Sequence, residues 1–90
     1  MTLVLPAVLR GEAGGASQLA VGGSGTLRGV LDEVRDRWPR LERRLRDERG
    51  EIRRYINVYV DGEDCRHISG QDTPVAAGAE VRVIPSVAGG

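Results

Sequence analysis

One segment of this chain has the apolar spacing of an α-helix, and segments with the pattern of β-strands lie on both sides of it. Apolar residues recur at the spacing of a single helix face between Thr26 and Pro39: Leu27, Val30, Leu31, Val34 and Trp38. Thr26 can cap this helix, and Pro39 cannot continue it because its ring clashes with the preceding turn. Leu41 and Leu45, one turn apart, predict a short second helix that restarts from the proline.

The segment before the helices carries a hairpin pattern. The branched run Thr2–Leu9 predicts a strand, and Ser17–Val21 predicts its return strand, with a polar, glycine-rich loop between them. Pro6 interrupts the first run, and a proline inside a strand favours an edge position or a bulge. We therefore expect the first strand to lie at an edge or to be bulged near Pro6.

Three more strands are predicted after the helices. Tyr55–Val60 alternates apolar and polar residues, which is typical of a strand with one face on a core. Asp61-Gly62 is a tight-turn dipeptide, and Glu63–Ile68 is expected to return as a short, irregular strand. Glu80–Pro85 is the last predicted strand.

The predicted order is strand, strand, helix, short helix and three strands. A hairpin, a crossing helix and further strands indicate an α+β domain whose helices pack on one face of a mixed sheet, and a ubiquitin-like β-grasp roll fits this order. A chain of 90 residues holds one such domain. We assign residues 1–85 to the domain and 86–90 to an extended, flexible C-terminal tail.

Composition argues against several classes of function. Thirteen arginines balance thirteen acidic residues, so we expect no general binding of nucleic acid. No apolar run approaches the roughly 20 residues that span a bilayer, so we expect no membrane insertion. Lysine is absent, which excludes Schiff-base chemistry, a P-loop lysine and a side-chain isopeptide acceptor within the chain.

The single cysteine and the single histidine limit the chemistry further. Cys65 and His67 cannot form an intrachain disulfide or a thiolate–imidazole zinc site, so we expect no bound metal. Two residues apart on a predicted strand, they would share a face, but no third group orients the pair for nucleophilic catalysis. We interpret Cys65 as a packing residue. The start of the chain lacks the features of a signal peptide, which favours a reducing, cytoplasmic location.

The segment from Arg35 to Arg54 contains nine arginines. Seven acidic residues lie among them or just before them, several of them three or four positions from an arginine. This spacing is typical of a solvated helix face, and docking to a partner is the alternative.

The last strand runs directly into the small residues Val87, Ala88, Gly89 and Gly90. Five extended residues beyond Pro85 reach roughly 17 Å, which is enough for the end of the chain to enter a partner's active site. Glycine lets the backbone pass between close walls, so the group expected to react is the α-carboxylate of Gly90. Glycine-rich termini are also common without any function, and the dipeptide alone does not decide between the two interpretations.

The predicted strand order together with the ending VRVIPSVAGG resembles the MoaD/ThiS family of ubiquitin-like sulfur carriers, over essentially the whole chain. Within that family, INVYVDGEDCR and VIPSVAGG are most similar to the CysO type used in cysteine biosynthesis. The resemblance implies that a ubiquitin-activating-type enzyme uses ATP to adenylate the Gly90 carboxylate. Sulfide or a persulfide then converts it to a thiocarboxylate, which donates sulfur to a synthase that makes cysteine, thiazole or a thio-metabolite.

This resemblance implies a carrier that has no enzymatic activity and binds no cofactor. We expect the carrier on its own to be a monomer. Two alternatives stay open. One is the small subunit of molybdopterin synthase, which ends in the same two glycines. The other is a ubiquitin-like interaction or conjugation module that transfers no sulfur.

Partner enzymes are expected to dock on the sheet face beside the tail. If Ile56, Val58 and Val60 face the core, the outward positions of the last strands carry aromatic, arginine and branched side chains, which are favoured at interfaces. The predicted partner-binding residues are Tyr55, Asn57, Tyr59, Arg82, Ile84 and Pro85. Packing of Tyr55 or Tyr59 over the helix is the competing arrangement.

Overall fold

A computed structural model describes residues 1–22 and 25–86, and within them the elements follow the predicted order. The strands are β1 Thr2–Val4, β2 Gln18–Ala20, β3 Ile56–Val60, β4 Glu63–Asp64 and β5 Glu80–Pro85. The α-helices are α1 Leu27–Arg37 and α2 Pro39–Leu45. Short 3₁₀ segments cover Ala7–Ala13, Cys65–His67 and Gly70–Asp72.

The strands form one mixed sheet in the order β2-β1-β5-β3-β4. β1 and β5 run parallel, with Thr2 opposite Glu80, while the other neighbouring pairs are antiparallel. A parallel pair of strands needs a long crossover connection. The two helices, which lie in the chain between β2 and β3, are part of the connection from β1 to β5. The result is the predicted ubiquitin-like β-grasp.

The core lies between one face of the sheet and the helices. In β3 and β5 buried residues alternate with more exposed ones, so that each strand turns every second side chain inward. The helices bury the apolar face predicted from their spacing: Leu27, Val30, Leu31, Val34, Leu41 and Leu45. Burying a side chain of this size contributes about 1.5–3 kcal/mol, so this layer stabilises the packing of the helices on the sheet.

The boundaries of the helices also follow the prediction. The Thr26 hydroxyl oxygen accepts a hydrogen bond from the Gly29 N–H at 3.2 Å and caps α1. α1 ends at Arg37 with Trp38 as its C-cap, and Pro39 occupies the first turn of α2, where a missing N–H costs nothing. Trp38 packs partly against the core.

The prediction for the first strand was wrong in two respects. β1 ends at Val4 rather than Leu9, and it lies inside the sheet, between β2 and β5, rather than at an edge. Pro6 lies beyond the strand and precedes the 3₁₀ segment, so that its missing N–H removes no hydrogen bond of the sheet. This segment, rather than a hairpin loop, leads back toward β2, and it buries Leu9.

The prediction of a strand over Glu63–Ile68 was also wrong beyond its second residue. Only Glu63 and Asp64 pair with β3. The Asp64 carboxylate then accepts a hydrogen bond from the Arg66 N–H at 2.9 Å, which turns the chain into the 3₁₀ segment Cys65–His67. Cys65 is buried and His67 is exposed, so the two do not share a strand face.

Arg46 departs from the prediction of a solvated face across Arg35 to Arg54. Its side chain is only 4% exposed, whereas most of the other arginines of the segment are exposed. The guanidinium donates to Glu42 Oε2 at 2.7 Å, Asp32 Oδ1 at 2.8 Å and Gln71 Oε1 at 3.0 Å. It therefore ties α1, α2 and the 3₁₀ segment Gly70–Asp72 together.

None of the described helices is long and apolar enough to cross a bilayer.

Candidate functional site

The candidate site begins where β5 leaves the sheet. The Ser86 N–H donates to the carbonyl oxygen of Tyr55 at 2.7 Å, so the antiparallel pairing continues one residue past the end of β5, at the residue that precedes β3. Ser86 is the last residue that the structure describes. The predicted tail residues Val87, Ala88 and Gly89 and the reactive Gly90 lie outside the described residues.

Beside this point, the sheet face away from the core carries the predicted docking residues. Asn57 lies opposite Ile84, and Tyr59 lies opposite Arg82. Cross-strand partners share one face, so these four side chains form one surface, which we call the outer face. Ile84 is 43% exposed and Tyr55 45% exposed. The outer-face position of Tyr59 is not compatible with packing over the helices.

Pro85 is separated from the other predicted docking residues. It lies opposite Ile56, in register with the inward-facing positions of β5, and it is half-buried. Because side chains alternate along a strand, Pro85 belongs to the inner face.

Arg66 is a component of the site that the sequence reasoning missed. Its guanidinium donates to Asn57 Oδ1 at 2.9 Å and to the carbonyl oxygens of Ile56 and Arg53 at 2.7 and 3.1 Å. Asn57 in turn donates from Nδ2 to Ser86 Oγ at 2.8 Å. A single arginine in a predicted strand carries no signal for this role, which depends on the turn that follows the short strand β4.

A shallow groove borders the outer face near the end of β5. It has a volume of about 160 Å³, and the ends of β1 and β5 line it together with the 3₁₀ segment between β1 and β2. The lining residues are Val4, Leu5, Pro6, Arg10, Arg82, Val83 and Ile84. Val8, on the same 3₁₀ segment, is 68% exposed.

Cys65 has the environment of a packing residue. Burial raises the pKa of the Cys65 thiol, and the neighbouring Asp64 carboxylate raises it further. A raised pKa keeps the thiol protonated at neutral pH, whereas a nucleophile needs the thiolate. In residues 1–22 and 25–86 no group of three or more His, Cys, Asp or Glu residues is arranged to hold a metal ion.

Comparison with protein families assigns the chain. A model described as the ThiS family matches residues 3–90, which is nearly the full length. The chain belongs to the ThiS family. This confirms the resemblance to sulfur carriers of the MoaD/ThiS type.

Relatives of this ThiS-family chain match it over its whole length. The sulfur carrier protein CysO of Mycobacterium tuberculosis (strain ATCC 25618 / H37Rv) is 34% identical over 92 residues, which cover 100% of this chain and 98% of that protein. A chain in the crystal structure of the Amycolatopsis orientalis BexX/CysO complex superposes with a TM-score of 0.88 at 34% identity, covering 99% of this chain and 98% of that one.

A solved structure with a different name matches as well. The crystal structure of small archaeal modifier protein 1 from Haloferax volcanii superposes with a TM-score of 0.78 at 33% identity, covering 100% of this chain and 98% of that one.

Proposed function

We propose that this ThiS-family protein is a sulfur carrier that presents a thiocarboxylate on Gly90. The observation that carries the proposal is its full-length similarity to the sulfur carrier protein CysO. The geometry is compatible with this role, because β5 stays paired with β3 up to Ser86 and only four residues then separate the folded domain from the Gly90 carboxyl group.

The chemistry needs two steps at the Gly90 carboxyl group, the first at its oxygen and the second at its carbon. The carboxylate oxygen attacks the α-phosphorus of ATP on the partner enzyme, which releases pyrophosphate and forms an acyl adenylate. A sulfur nucleophile, sulfide or an enzyme persulfide, then attacks the acyl carbon, and AMP leaves. With a persulfide, a thiol must also cleave the S–S bond to release the thiocarboxylate. The carrier contributes position rather than catalysis, so it needs no bound cofactor and no catalytic side chain of its own.

The partners are a ubiquitin-activating-type adenylating enzyme and a sulfur-accepting synthase of the cysteine synthase or thiazole synthase kind. Both must receive the same carboxyl terminus, so both are expected to dock on the same part of the carrier. The outer face carries Tyr59, Arg82 and Ile84 beside the exit of the chain, and aromatic, arginine and branched side chains are favoured at interfaces. A monomer that works in the cytoplasm, where ATP is available, is the simplest form of such a carrier.

Protein modification is the second candidate function. It is favoured by the full-length similarity to small archaeal modifier protein 1. In that case a lysine amine of another protein, instead of sulfur, would attack the activated Gly90 carboxyl group and form an isopeptide bond. The chain has no lysine of its own to act as a side-chain acceptor.

Intact mass spectrometry distinguishes the two functions. The protein is incubated with the adenylating enzyme, ATP and a sulfur source, and a variant lacking Gly90 serves as the matched control. A sulfur carrier gains the mass of one sulfur-for-oxygen exchange, and the deletion variant gains nothing. Adducts heavier by a whole protein would instead support modification. An unchanged mass with an active adenylating enzyme would contradict both.

A further inference from the structure

The hydrogen bonds around Ser86 hold the point from which the reactive end of the chain departs. We propose that Arg66, Asn57 and Ser86 form a tail-root clamp, which positions the start of the C-terminal tail for entry into the partner enzyme. The inference rests on the proposed function, because it assigns positioning residues to the same reaction.

The clamp connects three elements that are distant in sequence. Ser86 follows β5, Asn57 lies in β3, and Arg66 lies in the 3₁₀ segment after β4. The register places Asn57 opposite Ile84, and Ser86 is two residues further along, so the two side chains are diagonal neighbours on the outer face. Their bond, Asn57 Nδ2 to Ser86 Oγ, is 2.8 Å long.

Arg66 gives the clamp its rigidity. β4 pairs with only the last two residues of β3, so within residues 1–22 and 25–86 the start of β3 has no strand partner on that side. The Arg66 guanidinium takes that place and donates both to Asn57 Oδ1 and to the carbonyl oxygen of Ile56. With Oδ1 held by Arg66, the Asn57 amide group is oriented so that Nδ2 points to Ser86.

The hydrogen bonds between the side chains of the clamp are exposed to solvent. A positioning role can therefore be tested separately from a contribution to the stability of the fold. Water can replace an exposed hydrogen bond at little cost in free energy, so losing the Ser86 hydroxyl should hardly change the stability of the fold. Positioning is different, because a loosened Ser86 must be ordered again whenever the tail enters an enzyme. Ordering the backbone of one residue corresponds to about a tenfold change in an equilibrium constant.

The test uses four variants of the full chain with the adenylating enzyme of the same organism. S86A removes the hydroxyl, and R66K keeps the charge but loses the planar fork. S86T keeps a hydroxyl. N57D keeps an acceptor for Arg66, and the Ser86 hydroxyl can donate to its carboxylate, so the chain of hydrogen bonds is restored with one bond reversed. S17A, which changes an exposed serine without a described side-chain hydrogen bond, is the matched control.

We expect S86A and R66K to raise the KM for the carrier about tenfold with kcat nearly unchanged, and S86T and S17A to stay close to wild type. N57D is compared by Ser86 amide exchange alone, because Asn57 itself lies on the outer face, and its exchange should match that of wild type. In the isolated protein, the Ser86 amide hydrogen should exchange faster in S86A and R66K than in wild type. Thermal melting of each variant shows that the assays are made on folded protein.

Wild-type KM and wild-type Ser86 exchange in S86A would overturn the clamp, and so would Ser86 amide exchange in N57D that is as fast as in S86A. If the wild-type protein is never adenylated, the proposed function fails. Amide exchange still decides whether the three residues hold Ser86, so the two failures are distinguishable.

Discussion

Replacing Arg46 by alanine should cost the domain about 3 kcal/mol of unfolding free energy. The guanidinium is 4% exposed, and it donates to Glu42 at 2.7 Å and to Asp32 at 2.8 Å. Removing one partner of a buried ion pair costs about 3–5 kcal/mol, because the other charge stays buried without compensation. Glu42 is 12% exposed, so its carboxylate would stay mostly buried without a partner. Asp32 is 42% exposed, so water would solvate its carboxylate, and the expected loss lies near the lower limit of that range.

For a domain of this size the loss corresponds to a melting temperature lower by about 12–24 °C. Urea denaturation followed by circular dichroism gives the free energy from the midpoint at constant slope. Arg43→Ala is the control. It removes an exposed arginine of α2 whose side chain has no described ion pair, and it should change stability by less than about 0.5 kcal/mol.

A second variant tests whether the unpaired carboxylate causes the loss. Adding Glu42→Gln to Arg46→Ala removes the stranded charge, so the double variant should be more stable than the sum of the two single losses predicts, by about 1–3 kcal/mol. The reasoning is refuted if Arg46→Ala is within about 1 kcal/mol of Arg43→Ala, or if the two single losses simply add.

Three further predictions concern the docking surface, the Cys65 thiol and the Asp47 carboxyl group. Tyr59→Ala and Ile84→Asp should each weaken binding to the adenylating enzyme about fivefold or more with unchanged melting temperature, as measured by calorimetry; unchanged affinity would exclude the outer face. Cys65 should resist alkylation until the protein is denatured. Fast alkylation of the native protein would contradict the burial of the thiol. The raised pKa of Cys65 adds stability that is present below pH 9.0 and is lost as the pH rises above it. The hydrogen bond from the Glu51 N–H is the largest cause of the lowered pKa of Asp47. The lowered pKa adds stability that is present above pH 3.8 and is lost as the pH falls below it. Asp47→Ala should therefore reduce the acid dependence of the urea midpoint, and an unchanged dependence would contradict this.

Local periodicity was sufficient to predict most of the fold. The spacing of Leu27, Val30 and Leu31 predicted α1, and the alternation in Tyr55–Val60 predicted β3. In each case the spacing places the apolar side chains on one face of a helix or a strand. Thr26 and Pro39 marked helix boundaries through local hydrogen bonds and sterics. These effects act within a few residues, so they can be read without knowing the rest of the structure.

The wrong predictions concern segments whose structure depends on distant neighbours. Nothing local to Thr2–Leu9 shows that β5, almost 80 residues later, pairs with β1 and encloses it in the sheet. In the same way, β4 ends after Asp64 because a side-chain hydrogen bond turns the chain, and Arg66 then covers the open edge of β3.

The order of the elements, their apolar faces, the lack of a lysine acceptor and the small residues after β5 could all be read from the sequence. The particular roles of two of the thirteen arginines could be recognised only in the folded chain. Arg46 is enclosed by three carboxylate and amide groups, and Arg66 holds Asn57 beside Ser86. The physical reason is that the charge of an arginine is a property of the residue, whereas its burial and its partners are properties of the fold.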